Sequence, residues 1–176
     1  MANLSDLTRL LLKNVKKTEV VCTIRGAASQ SANLLEVQDS SKTVLFGISA
    51  AGAIAGSTFP VIYREKSSQS TQSIFLADAA YQVIAIEEVH STAGSDGGTV
   101  TISFSKDTGT TAPGAGTGLV TAALSLKTTA NTPQAATLSA TAADLVMAAG
   151  DRLAVVYSGT LTALVGVVVV VTLKRL

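Results

Sequence analysis

Histidine occurs once, at His90, the one imidazole available for acid-base or metal chemistry. It follows Glu87 and Glu88 near the end of an alternating apolar segment, a grouping that suggests either a metal site or a general base. A metal site wants at least three ligands, each held by a partner of its own. Period-two alternation puts Glu88 on the face of His90 but supplies no third ligand, so the pattern predicts a solvated histidine at a strand end. Adjacent carboxylates in a strand face opposite ways, which removes Glu87 and Glu88 as a glycosidase pair. Serine and aspartate are plentiful, yet no Gly-x-Ser-x-Gly elbow offers a nucleophile to His90. The lone Cys22 sits in an apolar run and reads as a small buried hydrophobe; one cysteine excludes an intrachain disulfide.

Two glycine-rich stretches, 94–98 and 114–118, have the composition of phosphate-cradling loops. Neither carries the Lys-Ser/Thr of a P-loop or a strand-loop-helix setting, so both read as turns. No catalytic constellation, cofactor site or metal site emerges, and the expectation is a protein that is not an enzyme.

Composition narrows the remaining classes. Ala, Thr, Ser and Gly make up 81 of 176 residues, charged residues 14%, and tryptophan is absent. A chain that is 47% hydrophobic has apolar surface to bury, unlike a disordered segment. A net charge of +1 leaves no basic footprint for nucleic acid. Mean hydropathy is +0.43, but the longest apolar run, 165–171, falls far short of the roughly 20 residues that span a bilayer as a helix. Residues 1–6 lack the basic start of a secretory signal, so a soluble protein with no membrane partner is expected. With so little charge, neutral small residues or another subunit must cover much of the outside.

The elements follow from periodicity. Leu4, Leu7, Leu11 and Val15 are spaced as on one face of a helix over 3–17, with Ser5 as N-cap and Lys13, Lys16 and Lys17 at the cation-favouring end. So short a helix is marginal alone and needs a surface for its leucines, on its own domain or on a partner. Strand-like runs follow at 20–25, 34–38 and 43–48, the last two joined by the polar turn 39–42 into a β-hairpin. Such short strands cannot build a core alone, so the larger domain or identical copies must complete it. Residues 64–73 contain no apolar side chain and predict a linker.

Beyond 73 the chain reads as strands separated by turns. In 81–89, Tyr81, Val83, Ala85 and Glu87 share one face and Ile84, Ile86 and Glu88 the other. In 99–106, Val100, Ile102 and Phe104 point inward and Thr101, Ser103 and Ser105 outward, and 95–98 predicts a hairpin turn between the two strands. Further strands are expected at 135–138, 152–157 and 164–173. The last is so rich in valine that it predicts burial on both faces, inside a sandwich or against another subunit. The fold class expected is mainly β. A short N-terminal helix or arm covers 1–19 and a small β-hairpin oligomerisation and docking module 20–63. The linker is 64–73, and a jelly-roll-like C-terminal β-sandwich covers 74–176.

These residues also carry a resemblance. Ile24-Arg25-Gly26-Ala27 through Gln30-Ser31-Ala32-Asn33-Leu34-Leu35-Glu36-Val37-Gln38-Asp39-Ser40, then Val44-Leu45-Phe46 and Ala51-Gly52, resembles a module of tailed-bacteriophage fibre and capsid-surface proteins. The C-terminal half is similar to small β-sandwich domains of the same group, through Tyr81-Gln82-Val83-Ile84, Glu87-Val89, Gly97-Gly98-Thr99-Val100, Ala148-Ala149-Gly150-Asp151-Arg152-Leu153 and Val171-Thr172-Leu173-Lys174-Arg175. The resemblance covers residues 20–60 and 74–176. The turn glycine usual in the first module is replaced here by Lys42. The resemblance implies a virion structural protein, commonly a homotrimer, either a capsid decoration (cement) protein or a short fibre, and it supplies no catalytic residue.

The leading expectation is a cement protein that binds the capsid exterior as a homotrimer and stabilises the head against internal DNA pressure. Its partners would be copies of itself and the major capsid protein. Leu4, Leu7, Leu11, Lys13, Lys16 and Lys17 are the expected capsid-docking residues; Leu35, Val37, Leu45 and Ile48 are the expected trimer interface. The alternative is a short tail or head fibre whose C-terminal sandwich binds a host-surface receptor, although without tryptophan an aromatic sugar platform is thin. A small hydrolase would have to work through His90.

Overall fold

The computed structural model describes residues 35–38, 40–41, 44–48, 54–55, 57–65 and 69–176; the expected helix over 3–17, the strand at 20–25 and Cys22 lie outside them. The chain divides into two compact units, Met1–Ile54 and Ala55–Leu176. In the first, β1 (Leu35–Gln38) and β2 (Val44–Ile48) form the expected antiparallel hairpin, with Ser40 and Ser41 in the turn. The short strand β3 (Ile54–Ala55) extends the order to β1-β2-β3.

The second unit holds the remaining strands. In chain order these are β4 (Thr58–Arg64), β5 (Gln72–Leu76), β6 (Tyr81–Val89), β7 (Thr101–Asp107) and β8 (Thr117–Gly118). After them come β9 (Leu124–Ser125), β10 (Gln134–Ala135), β11 (Val146–Met147), β12 (Arg152–Ser158) and β13 (Val168–Arg175). One antiparallel sheet runs β10-β6-β13-β4, with β11 also on β6; the other runs β5-β12-β7-β8, with β9 also on β7. No α-helix occurs among the described residues, and one 3-10 turn, Ala142–Leu145, precedes β11. The protein is mainly β, with its sheets antiparallel.

Between the sheets lies a core of aliphatic side chains. Val83, Ile86, Val169, Val171 and Leu173 of the first sheet and Ile102, Phe104, Leu153 and Val155 of the second are each at most 1% exposed. Burying each such side chain contributes about 1.5–3 kcal/mol, which is what holds two otherwise separate ladders together. Near the start of β6 an aromatic trio spans both sheets. Phe59 of β4 and Phe75 of β5 lie 5.2 and 5.7 Å from the Tyr81 ring of β6, both edge-on, the geometry the ring quadrupoles favour.

The longer strands cross between sheets more often than the turns suggest. Both β6 and β7 form as expected, but β6 pairs with β13 and β7 with β12, so they are not a hairpin. Glycine and aspartate at 95–98 mark a change of direction; they do not specify the partner of the strand that follows. The same crossing corrects the linker at 64–73. Arg64 ends β4 in the first sheet and Gln72 begins β5 in the second, so the polar residues 65 and 69–71 belong to a connection between sheets. It is anchored there: Gln69 Nε2 donates to Glu65 Oε1 and to the Leu164 carbonyl, each at 2.6 Å, and Gln72 Nε2 donates to the Tyr63 hydroxyl at 3.1 Å. The boundary between the units falls ten residues earlier, after Ile54.

A bulge changes the facing of β6. Leu173 pairs with Val83 and Thr172 with Ala85, so Ile84 is an extra residue in the ladder and is 40% exposed. One inserted residue reverses inside and outside for all that follow. Tyr81 and Val83 are buried before the bulge; Ile86, Glu88 and His90 are buried after it. The two-face assignment read from simple alternation therefore holds only within each half of the strand.

Candidate functional site

His90 is not a solvated strand-end residue. The bulge at Ile84 turns it inward, and both it and Glu88 are 1% exposed. Glu88 Oε1 lies 3.0 Å from His90 Nδ1, and Gln134 Nε2 of β10 donates to Glu88 Oε2 at 2.9 Å. His90 Nε2 is 3.3 Å from the Thr128 carbonyl, which only accepts, so Nε2 is the donor of that contact. Burial pushes the Glu88 carboxyl above its ordinary range, opposed in part by its hydrogen bonds with His90 and Gln134. Each polar atom of the pair is thus engaged with a neighbour. The arrangement ties the 125–135 segment onto β6 and leaves neither group facing solvent, which suits a structural clasp.

Several other polar groups inside the fold have similar duties. Asp107, fully buried at the end of β7, accepts from Ser105 Oγ at 2.9 Å, from Gly116 N at 3.0 Å and from Gly114 N at 3.2 Å. The glycine-rich 114–118 stretch therefore spends its amides on the chain's own carboxylate, where an anion cradle would hold them open. A Cβ at Gly116 would overlap the Lys106 carbonyl, which is why this close approach needs glycine. Under the loop, Ser105 is only 3% exposed, against the outward facing expected of it. Arg152, opposite Asp107 in the β12–β7 register, donates to the Gly109 and Thr111 carbonyls at 3.1 and 2.6 Å. Loop 108–118 is thereby held over the outer face of the second sheet. Burial raises the Tyr157 hydroxyl far above the usual phenol range. Among the described residues, no three of His, Cys, Asp and Glu gather closely enough to hold a metal ion, and no helix is long and apolar enough to cross a membrane.

The first sheet is different on its outside. Expected to be buried on both faces, β13 instead alternates: Val169, Val171 and Leu173 are fully buried, while Val168 and Val170 are half-buried on the outer face. Beside them in register stand Ile62 of β4, 53% exposed and opposite Val170, and Arg64, opposite Val168. On the other flank Glu87 pairs with Val170 and Val89 with Val168. A hollow of about 170 Å³ opens here, lined by Glu87, Glu88, Val89, Pro133, Val168 and Val170. This is an apolar patch in the middle of a sheet with Arg64 and Glu87 at its flanks, and it is the feature best suited to contact another macromolecule.

Of the residues singled out from sequence, Leu4, Leu7, Leu11, Lys13, Lys16 and Lys17 lie outside the described residues. Leu35 and Ile48 are direct cross-strand partners in the hairpin. Val37 pairs with Phe46 and is 47% exposed, whereas Leu45 is passed over where the register slips to Gln38 and Val44. The unbroken apolar run at 165–171 signals the valine strand in the sequence; its flank at Ile62 is hidden there because Ile62 lies within the 20–63 segment, which reads as a separate module. Comparisons with protein-family models, with curated proteins and with solved structures find no match.

Proposed function

We propose that this chain is a virion structural protein of the tailed-phage kind, a homotrimeric cement protein that docks on the capsid exterior. The observation that carries the reading is the apolar outer face of the β10-β6-β13-β4 sheet. The second sheet is roofed by its own loop 108–118, while Ile62 at 53% exposure and the half-buried Val168 and Val170 are left for another surface. Strand order supports a jelly-roll reading of the sandwich. Among its eight principal strands β4 pairs with β13, β5 with β12, β6 with β10 and β7 with β8, first with last and inward, as a long hairpin would when rolled up. That architecture recurs in viral coat proteins and in lectins, so it supports the class without selecting a role. The resemblance of residues 20–60 to phage capsid-surface modules favours the capsid, and the net charge of +1 suits a protein whose partner is protein.

A cement protein works by mass action. Binding the assembled shell and not its separated subunits stabilises the shell by about 2.7 kcal/mol per site when the free concentration is a hundredfold above Kd. The test is co-sedimentation of the full chain with heads assembled from the major capsid protein of the same genome. Saturable binding at a lattice-fixed ratio, with a higher temperature of DNA release, is expected. Absence of binding at saturating concentration refutes the reading, and binding restricted to a few copies per particle replaces it with a fibre role.

A further inference from the structure

The valine face has the parts of a self-complementary contact. On the β4 side a branched side chain, Ile62, stands proud at 53% exposure. On the β6–β10 side of the same face is a hollow of about 170 Å³ lined by Glu87, Glu88, Val89, Pro133, Val168 and Val170, room enough for a branched aliphatic side chain. Charge is arranged the same way. Exposed Arg64 flanks Val168 on the β4 side, and exposed Glu87 flanks Val170 on the β6 side. Knob and cation are on one flank, hole and anion on the other. A twofold contact and a head-to-tail contact can each bring Ile62 to the hollow and Arg64 to Glu87; a homotrimer requires the head-to-tail one.

We propose that this face is where copies of the chain meet, Ile62 of one copy entering the Val89–Pro133–Val168 hollow of the next with Arg64 set against its Glu87. The proposal rests on the homotrimer reading above and names the surface that would make it. A head-to-tail contact of this kind closes into a ring when the rotation between copies divides the circle.

The test uses the full chain in a Cys22→Ser background carrying both Ile62→Cys and Pro133→Cys, two exposed positions whose substitution leaves the core intact. Within one chain they are three strand spacings apart, about 14 Å, too far for a disulfide to form. Mild oxidation of the native protein is expected to give a ladder of covalent dimers and higher species on a non-reducing gel. Either single substitution alone should give no ladder, and a co-folded mixture of the two should give dimers only. A light-scattering mass several times 17.8 kDa with no ladder would overturn this contact and leave the homotrimer reading standing. A mass of one chain would overturn both. Protection of Ile62→Cys from maleimide without any ladder would also overturn it, by assigning the cover to another part of the same chain.

Discussion

Removing the Asp107 carboxylate should loosen the sandwich by a large fraction of its stability. The group is fully buried and is the acceptor for three donors, Ser105 Oγ, Gly114 N and Gly116 N, at 2.9–3.2 Å. A hydrogen bond to a charged group contributes about 1.5–3 kcal/mol, and a buried donor left without an acceptor costs about 1–3 kcal/mol. Taken at face value, Asp107→Ala would approach the whole stability of a small domain, about 5–15 kcal/mol. Loop 108–118 is exposed along much of its length, however, and can lift to let water reach the two glycine amides. The loss expected is therefore about 3–4 kcal/mol, roughly the Ser105 bond together with one unsatisfied donor. Asp107→Asn keeps one carbonyl oxygen for Ser105 and Gly116 and gives up chiefly the Gly114 bond, at about 1–2 kcal/mol. With no tryptophan to report on unfolding, the assay is urea denaturation followed by far-ultraviolet circular dichroism, comparing midpoints at constant slope. An alanine variant within about 1 kcal/mol of the parent, or an asparagine variant as damaged as the alanine one, would refute the assignment of these bonds.

Three further outcomes are expected. Because burial holds the Glu88 carboxyl above its ordinary 4.5, the folded state binds that proton more tightly than the unfolded state. Its contribution to stability is full below the unfolded value and is lost as pH rises through the raised one, so the urea midpoint should fall across that window and Glu88→Gln should flatten the fall; an unchanged pH slope counts against it. Gly159→Ala should destabilise severely, since φ is +94° there and the added Cβ would overlap the Thr99 carbonyl; a melting temperature equal to the parent's would contradict this. Leu173→Ala, at a fully buried position of β13, should cost about 2–5 kcal/mol in the same urea assay, and a cost under about 1 kcal/mol would mean that the core there is not packed as described.

Much of the strand content was legible because the chain alternates where one face is buried. Val100, Ile102 and Phe104 read as inward from sequence, and each is at most 1% exposed. The hairpin at 34–48 was legible for a similar local reason, two apolar runs about a polar turn, and β1 and β2 pair as that pattern implies. Local signals end at the turn itself. Nothing in 95–98 says whether the next strand returns along its predecessor or crosses to another sheet, because turn residues encode dihedral angles and not partners.

The sequence by itself determined the class, a mainly β chain with an apolar final strand, since hydrophobic periodicity is a local property of neighbouring residues. Only the tertiary structure decided which faces are which. The bulge at Ile84 arises from the register between β6 and β13, and that register carries Glu88 and His90 into the interior. The pairing of β4 with β13 likewise brings Ile62 beside Val170, residues more than a hundred positions apart. A surface assembled from distant strands exists only once long-range pairing is complete, which is why the run at 165–171 signals the valine strand but no window of the chain shows Ile62 and the hollow beside it.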